Sequence, residues 1–159
     1  LMFNSPTTTE DDKIAAKRLA AIAEVDIDAY GREMFSISTS LKGYAPEDIL
    51  AIDRKRFTFG KNIVFVSQVN TLDFRSIVEM EESLFNAMDN FISSSECDLY
   101  ILMITDIVEC GSELLVEGRA KDLAFKAFDL QSDRKSVFLP GVVSRKKQIV
   151  PKLTFAAQY

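Results

Sequence analysis

The spacing of apolar residues predicts helices in the first third of the chain. The first helix has the apolar positions Ile14, Ala15, Leu19, Ile22 and Ala23. This pattern is typical of an amphipathic helix whose apolar stripe faces the protein interior. Thr7 and Glu10 have the separation of a capping box at its start, although either later threonine could be the cap. A second helix is predicted over 27–37, and Pro46 suits the first turn of a short helix over 46–52.

The middle and end of the chain predict strands alternating with helices. Residues 57–69 have the pattern of a β-hairpin that turns at 60–62, and a long helix follows from Thr71 or Asp73 to Phe91. The run 98–108 is the most apolar segment of the chain and is too short to cross a membrane as a helix, so it predicts a central strand buried on both faces. The remaining predictions are a strand over 112–118, a helix over 121–128, a strand over 136–139 and a C-terminal helix over 153–159, for which Pro151 suits a first turn. Together they indicate a single α/β domain with a mixed β-sheet flanked by helices, and an α+β arrangement stays open.

Composition limits the classes of function. A chain of 159 residues with 47% hydrophobic residues can bury one core. Its net charge of −5 argues against nucleic-acid or membrane-surface binding. Histidine is absent, which excludes a Ser-His-Asp triad, a Cys-His pair and imidazole metal sites built from this chain alone, whereas carboxylate-only magnesium sites stay open. The two cysteines, Cys97 and Cys110, are expected to be free thiols in a reducing cytoplasm rather than a disulfide or a metal pair.

Positive charge is concentrated near the end of this acidic chain. Six Lys or Arg residues and no Asp or Glu lie between Arg134 and Tyr159, whereas the other 133 residues carry 13 basic and 24 acidic side chains. Within this region we define the basic segment as Gly141–Pro151. Its guanidinium, ammonium and hydroxyl groups suit a small, highly charged oxyanion. A solvated basic loop is the alternative interpretation of the same residues.

A second basic cluster, Arg54-Lys55-Arg56, precedes the predicted hairpin. Its simplest interpretation is the solvated edge of a strand. The alternative is a second phosphate contact.

The stretch Phe138-Leu139-Pro140-Gly141-Val142-Val143-Ser144-Arg145-Lys146-Lys147-Gln148-Ile149-Val150-Pro151 resembles the C-terminal signature of the family II, manganese-dependent inorganic pyrophosphatases, in their substrate-binding DHHA2 domain. Four further stretches resemble the family in the same order: 5–12, 28–34, 67–71 and 102–107. The resemblance implies a two-domain enzyme. Residues 1–6 would be a linker or strand remnant from a missing N-terminal DHH domain, and residues 7–159 would be the DHHA2-like domain.

The resemblance also implies roles for the basic segment. Arg145 and Lys146 match the family's phosphate-binding pair, and Ser144, Lys147 and Gln148 would frame it. The missing domain would carry the His and Asp ligands of a manganese or cobalt cluster, with magnesium accompanying the substrate. This chain alone would then bind pyrophosphate or phosphate without a metal of its own, would be inactive and would be a monomer. The alternative is a stand-alone phosphate- or polyphosphate-binding module, or a domain of a related exopolyphosphatase.

One position departs from the family pattern. Members place a further phosphate-binding lysine where this chain has Ser36, directly after Met34-Phe35. The nearest downstream cation is Lys42. Either Lys42 or another basic group substitutes for that lysine, or the substrate is bound less tightly or differs.

Overall fold

The computed structural model describes residues 3, 5–38, 41, 43–130 and 136–158, with the backbone alone for 36–38. The helices are α1 (Glu10–Ile22), α2 (Ile27–Ser38), α3 (Pro46–Ala51), α4 (Phe74–Val78), α5 (Glu81–Ser94), α6 (Lys121–Phe128) and α7 (Val150–Ala156). The strands are β1 (Lys55–Phe59), β2 (Asn62–Thr71), β3 (Leu99–Asp106), β4 (Gly111–Glu117) and β5 (Ser136–Pro140). A five-residue π-helical turn (Arg145–Ile149) precedes α7.

The five strands form one mixed sheet whose spatial order is the same as their order in the chain. β2 and β3 are parallel, with Val64 opposite Leu99, whereas the β1–β2, β3–β4 and β4–β5 pairs are antiparallel. A parallel pair requires a long crossover connection, which α4 and α5 provide here. The predicted mixed sheet flanked by helices is therefore confirmed.

Helices cover both faces of the sheet and create two hydrophobic clusters. Apolar residues of α3, α4 and α5 pack on one face, and those of α6 and α7 pack on the other. Every residue of β3 is buried, and its apolar side chains alternate between the two clusters. The prediction of a central strand buried on both faces is therefore correct. No helix in the described part of the chain is both long and apolar enough to cross a membrane.

Three element boundaries differ from the sequence prediction. The capping box of α1 pairs Thr9 with Asp12 rather than Thr7 with Glu10: the Thr9 amide donates to Asp12 Oδ2 at 2.8 Å, and the Asp12 amide donates to Thr9 Oγ1 at 3.2 Å. The predicted long helix is divided into α4 and α5, because the Met80 amide bonds to the third preceding carbonyl and changes the helical register. The last helix has Pro151 in its first turn, as predicted, but ends at Ala156 rather than at residue 159.

The predicted inward stripe of α1 is wrong. Ile14, Leu19 and Ile22 are 64%, 65% and 71% exposed, and no residue of α1 is buried. The more covered positions of this helix are Lys13, Ala16 and Ala20, none of which belongs to the large apolar stripe. The periodicity identified the helix correctly, but α1 lies outside both clusters.

Candidate functional site

The basic segment connects the edge strand β5 to α7. Gly141 has a φ of +73°, a conformation that side-chain-bearing residues rarely adopt, and its amide donates to the Cys110 carbonyl at 3.0 Å. A Cβ at this position would meet nothing within 4 Å, so glycine is favoured here by the backbone conformation and not by a lack of space. Val143 is 4% exposed and anchors the segment in the core before Ser144 caps the π-helical turn.

Gln148 holds the basic segment together from within. Its Oε1 atom accepts hydrogen bonds from the Val143 and Ser144 amides, both at 2.9 Å. Its Nε2 atom donates to the Gly141 carbonyl at 2.8 Å. The side-chain amide is thus engaged at both ends by the backbone that precedes the turn, and Gln148 fixes the shape of the segment.

A second glutamine, Gln68 in β2, fastens the basic segment to the sheet. Its Nε2 atom donates to the Val143 carbonyl at 3.1 Å and to Thr105 Oγ1 at 3.2 Å, and its Oε1 atom accepts from the Arg145 amide at 3.3 Å. Ser112 in β4 adds a bond of 2.6 Å to the Val142 carbonyl. The segment therefore sits at the carboxyl end of the parallel pair β2–β3. Gln68 was not assigned a role from the sequence, where it is one of several polar residues in the second half of β2.

Arg145 is directed into the protein. Its side chain is 6% exposed, and Nη1 donates to the carbonyls of Asp53 and Val66, the latter at 3.1 Å. Nη2 donates to Asp53 Oδ2 at 2.8 Å. Asp53 itself has a φ of +42° and a side chain that is 50% exposed. Its carboxylate compensates the guanidinium charge, a role that nothing in the sequence pattern indicated.

The two lysines of the turn face solvent. Lys146 and Lys147 are both exposed, and Lys147 Nζ donates to the Pro6 carbonyl at 3.1 Å. Ser144 Oγ accepts from the Lys147 amide at 3.3 Å. The predicted pair is therefore divided, with the Arg145 guanidinium inside and the Lys146 ammonium outside.

Phosphate binding by Arg145, Lys146, Ser144, Lys147 and Gln148 stays a prediction. Lys42 lies outside the described residues, as do Arg134 and Lys135, and the side chain of Ser36 is not described.

The Arg54-Lys55-Arg56 cluster lies at the start of β1, an edge strand with exposed charged residues, where the favoured sequence interpretation put it. The Arg54 guanidinium stacks 4.4 Å from the centre of the Phe91 ring. Lys55 Nζ lies 3.6 Å from Asp53 Oδ1, so Lys55 and Arg145 share one carboxylate.

The opposite end of the parallel pair carries a separate cleft of about 460 Å³, lined by Lys61, Asp98 and Arg119 among others. The Asp98 carboxylate accepts from the Ile63 amide at 2.7 Å and pairs with Arg119. The Ile63 hydrogen bond, with a smaller contribution from Arg119, holds the pKa of Asp98 below its usual value. The negative charge of Asp98 is thus compensated by groups of the same domain.

No group of three or more His, Cys, Asp or Glu side chains among the described residues could hold a metal ion. The donor set of a manganese site is therefore not offered by this part of the chain.

The fold and site define a layered α/β domain that presents a braced cationic segment at the carboxyl end of a parallel strand pair. The model of the DHHA2 domain family matches residues 32–156. The chain belongs to the DHHA2 domain family, which confirms the family predicted from the sequence.

Relatives extend the comparison over nearly the whole chain. A probable manganese-dependent inorganic pyrophosphatase of Staphylococcus carnosus is 45% identical over 98% of this chain and 51% of its own length. A Clostridium acetobutylicum protein described in the same words is 39% identical over 99% of this chain and 51% of its own. The crystal structure of a Methanococcus jannaschii protein, described as a candidate family II inorganic pyrophosphatase, superposes with a TM-score of 0.86 at 38% identity, over 99% of this chain and 51% of that one. The chain thus spans about half the length of these relatives.

Proposed function

We propose that this chain is the substrate-binding part of a manganese-dependent inorganic pyrophosphatase. The observation that carries the proposal is the cationic segment itself, which is braced by Gln68 and Gln148 and exposes Lys146. Relatives described as such pyrophosphatases match nearly the whole of this chain, and the match covers only about half of their own length. Residues 7–159 form the substrate-binding domain in this proposal, and residues 1–6 lead from the half that the relatives carry in addition.

The contribution of this chain is to bind and neutralise phosphate. Lys146 supplies a mobile positive charge on a segment whose backbone is already fixed, so the conformational entropy lost when an anion binds is confined to the side chain. Lys147 and the Ser144 hydroxyl lie in the same turn and can approach the same anion. Neutralising the phosphoryl group under attack and the departing phosphate lowers the barrier to phosphoanhydride cleavage.

Arg145 has a more restricted role in this proposal. A guanidinium can hold two phosphate oxygens at once. Here its Nη2 atom is paired with Asp53 and its Nη1 atom with two carbonyls. A phosphate contact from this guanidinium therefore requires the anion to compete with the Asp53 carboxylate.

The metal belongs to the other half of the protein, which would be a DHH domain with His and Asp ligands. Manganese bound there, or cobalt in its place, would supply an activated water, with magnesium accompanying the substrate. Cys97 is a buried thiol outside any disulfide, which fits a cytoplasmic location.

A Lys146→Ala variant of the full-length protein tests the proposal. Loss of a charged phosphate contact should lower kcat/KM for pyrophosphate by about 10- to 100-fold. Lys152→Ala is the matched control, because it removes the same charge from α7, where Lys152 Nζ lies 5.7 Å from the centre of the Phe128 ring. Equal losses in the two variants would reduce the effect to net charge and refute a site at Lys146.

This chain alone should bind phosphate without hydrolysing pyrophosphate in the presence of manganese. Titration with pyrophosphate, followed by backbone amide shifts, should move the signals of residues 144–148. Robust turnover by the purified chain would refute the assignment of the metal ligands to the other half. Tighter binding of long polyphosphate than of pyrophosphate would favour the exopolyphosphatase or polyphosphate-module alternative.

A further inference from the structure

The face of β2 that meets the basic segment changes from apolar to polar towards its carboxyl end. Val64 and Val66 belong to the cluster with α6 and α7, and Gln68 and Asn70 continue the same face, because alternate residues of a strand share a side. β2 is described over its whole length, and Asn70 is its one exposed residue. Asparagine is depleted in strands, so its place here indicates a role other than packing.

Backbone groups fix the orientation of the Gln68 side chain, which in turn fixes that of Asn70. Gln68 Oε1 accepts from the Arg145 amide at 3.3 Å, and Gln68 Nε2 donates to the Val143 carbonyl at 3.1 Å. An amide and a carbonyl of the backbone leave no choice between the two ends of the glutamine. Asn70 Oδ1 lies 3.5 Å from Gln68 Nε2, so the oxygen of Asn70 faces Gln68. Its Nδ2 group finds no acceptor in the described part of the chain.

The other polar side chains at this end are engaged inside the fold. Thr105 is fully buried and lies beside Asn70 in the register of β2 and β3. Its Oγ1 atom lies 3.2 Å from Gln68 Nε2 and 3.0 Å from Ser112 Oγ. Ser112 in turn donates to the Val142 carbonyl at 2.6 Å. Asn70 is therefore the point at which this network of hydrogen bonds reaches solvent.

We propose that Asn70 donates a hydrogen bond from Nδ2 to the phosphate that the basic segment binds, and is thus a further substrate contact. Its position fits, because Gln68 alone separates it from the Arg145 amide, where the turn that exposes Lys146 begins. Its chemistry is complementary to that of Lys146. A lysine ammonium is a mobile point charge, whereas an amide on a strand is a directional donor that can orient a tetrahedral anion. This inference rests on the proposed function.

Titration of this chain with inorganic phosphate tests the contact at the side chain itself. The NH2 signals of Asn70 should shift together with the backbone amides of residues 144–148. The NH2 signals of Asn90, an exposed asparagine in α5, should not move. A response of residues 144–148 without one at Asn70 would overturn the inference and leave the proposed function standing. No response at either place would refute phosphate binding by this chain, and the inference with it.

Two variants of the full-length protein test the contribution to catalysis. Asn70→Ala removes the donor and should lower kcat/KM for pyrophosphate about 10-fold. Asn70→Asp keeps the shape but places a negative charge against the anion, and should lower kcat/KM at least about 100-fold. Asn90→Asp is the matched control, because it adds the same charge at an exposed position in α5, and it should retain the parent value. Equal losses in the two aspartate variants would overturn the inference.

Stability distinguishes a substrate contact from a structural role of Asn70. Both Asn70 variants should unfold at the urea concentration of the parent, since the side chain is exposed. Activity that falls only in proportion to stability would identify a structural role and overturn the inference.

The two measurements also separate the inference from the proposed function. A full-length protein whose Asn70 signals respond to phosphate but which does not hydrolyse pyrophosphate would keep the contact and refute the activity. Hydrolysis that is unchanged in both Asn70 variants would do the reverse.

Discussion

Replacing Gln148 distinguishes a residue that shapes the basic segment from one that contacts phosphate. Gln148→Leu keeps the approximate size of the side chain and removes three hydrogen bonds, two from amides at 2.9 Å and one to a carbonyl at 2.8 Å. Each such bond contributes about 1 kcal/mol net. Because Gly141 is exposed and Gln148 only half-buried, water can replace part of this loss, and we expect the free energy of unfolding to fall by about 2 kcal/mol.

Urea unfolding followed by circular dichroism measures the change. With a slope of about 2 kcal/mol per molar for a chain of this size, the midpoint should fall by about 1 M. Gln148→Glu should give a smaller loss, because its carboxylate still accepts from the Val143 and Ser144 amides but cannot donate to the Gly141 carbonyl. Gln158→Leu, at an exposed position after α7, should be neutral. An unchanged midpoint in Gln148→Leu with weakened phosphate binding would refute the structural role and restore the direct contact predicted from the sequence.

Three further predictions concern charge, backbone conformation and pH. Asp53→Asn should lower the free energy of unfolding by about 1 kcal/mol, since the carboxylate is half-exposed. It should also tighten phosphate binding, because it releases the guanidinium of Arg145. Weaker binding in a phosphate titration would show instead that Asp53 positions Arg145 for the anion. Gly118→Ala should lower the free energy of unfolding, measured in urea, by about 3 kcal/mol. The glycine has a φ of +128°, and the Cβ of an alanine would lie 2.5 Å from the Asp98 carbonyl oxygen. Stability equal to that of the parent would contradict this. Burial raises the pKa of the Cys97 thiol from 9.0 to about 11. Its contribution to stability is therefore complete below about pH 9 and is lost as the pH rises through about 11. Between about pH 8 and about pH 10.5, the free energy of unfolding in urea should fall less in Cys97→Ala than in the parent, and equal falls would refute the shift.

The sequence predicts the sheet well because its signals are local. The uninterrupted apolar run around Tyr100 identifies a strand covered on both faces, and Lys121–Phe128 has the length and spacing of the helix observed there. The failure at α1 has a physical cause. Periodicity shows that Ile14, Leu19 and Ile22 share a side of a helix, but it does not show whether that side finds a partner within the same chain.

The site is less predictable because its decisive contacts join distant residues. The basic segment is visible in the sequence as a concentration of charge, yet the partner of Arg145 is Asp53, 92 residues earlier. The sequence alone does not distinguish an arginine whose guanidinium faces solvent from one whose guanidinium is paired inside the protein. Gln148 was predicted to frame the phosphate site, but its hydrogen bonds go to three backbone groups whose positions follow from the turn at Gly141.

The strand order also leads to an expectation about when the cationic turn forms during folding. Each strand pairs with its neighbour in the chain, so the sheet can grow in one direction, with a single long excursion through α4 and α5 between β2 and β3. Closing contacts over long sequence separations is slow compared with such local pairing. The bonds from Arg145 to Gln68 and Asp53 span 77 and 92 residues, and they connect the last elements of the chain to the first strands. We therefore expect the cationic turn to be assembled late in folding, and a chain halted before β5 would have four of the five strands but none of the bonds made by Arg145.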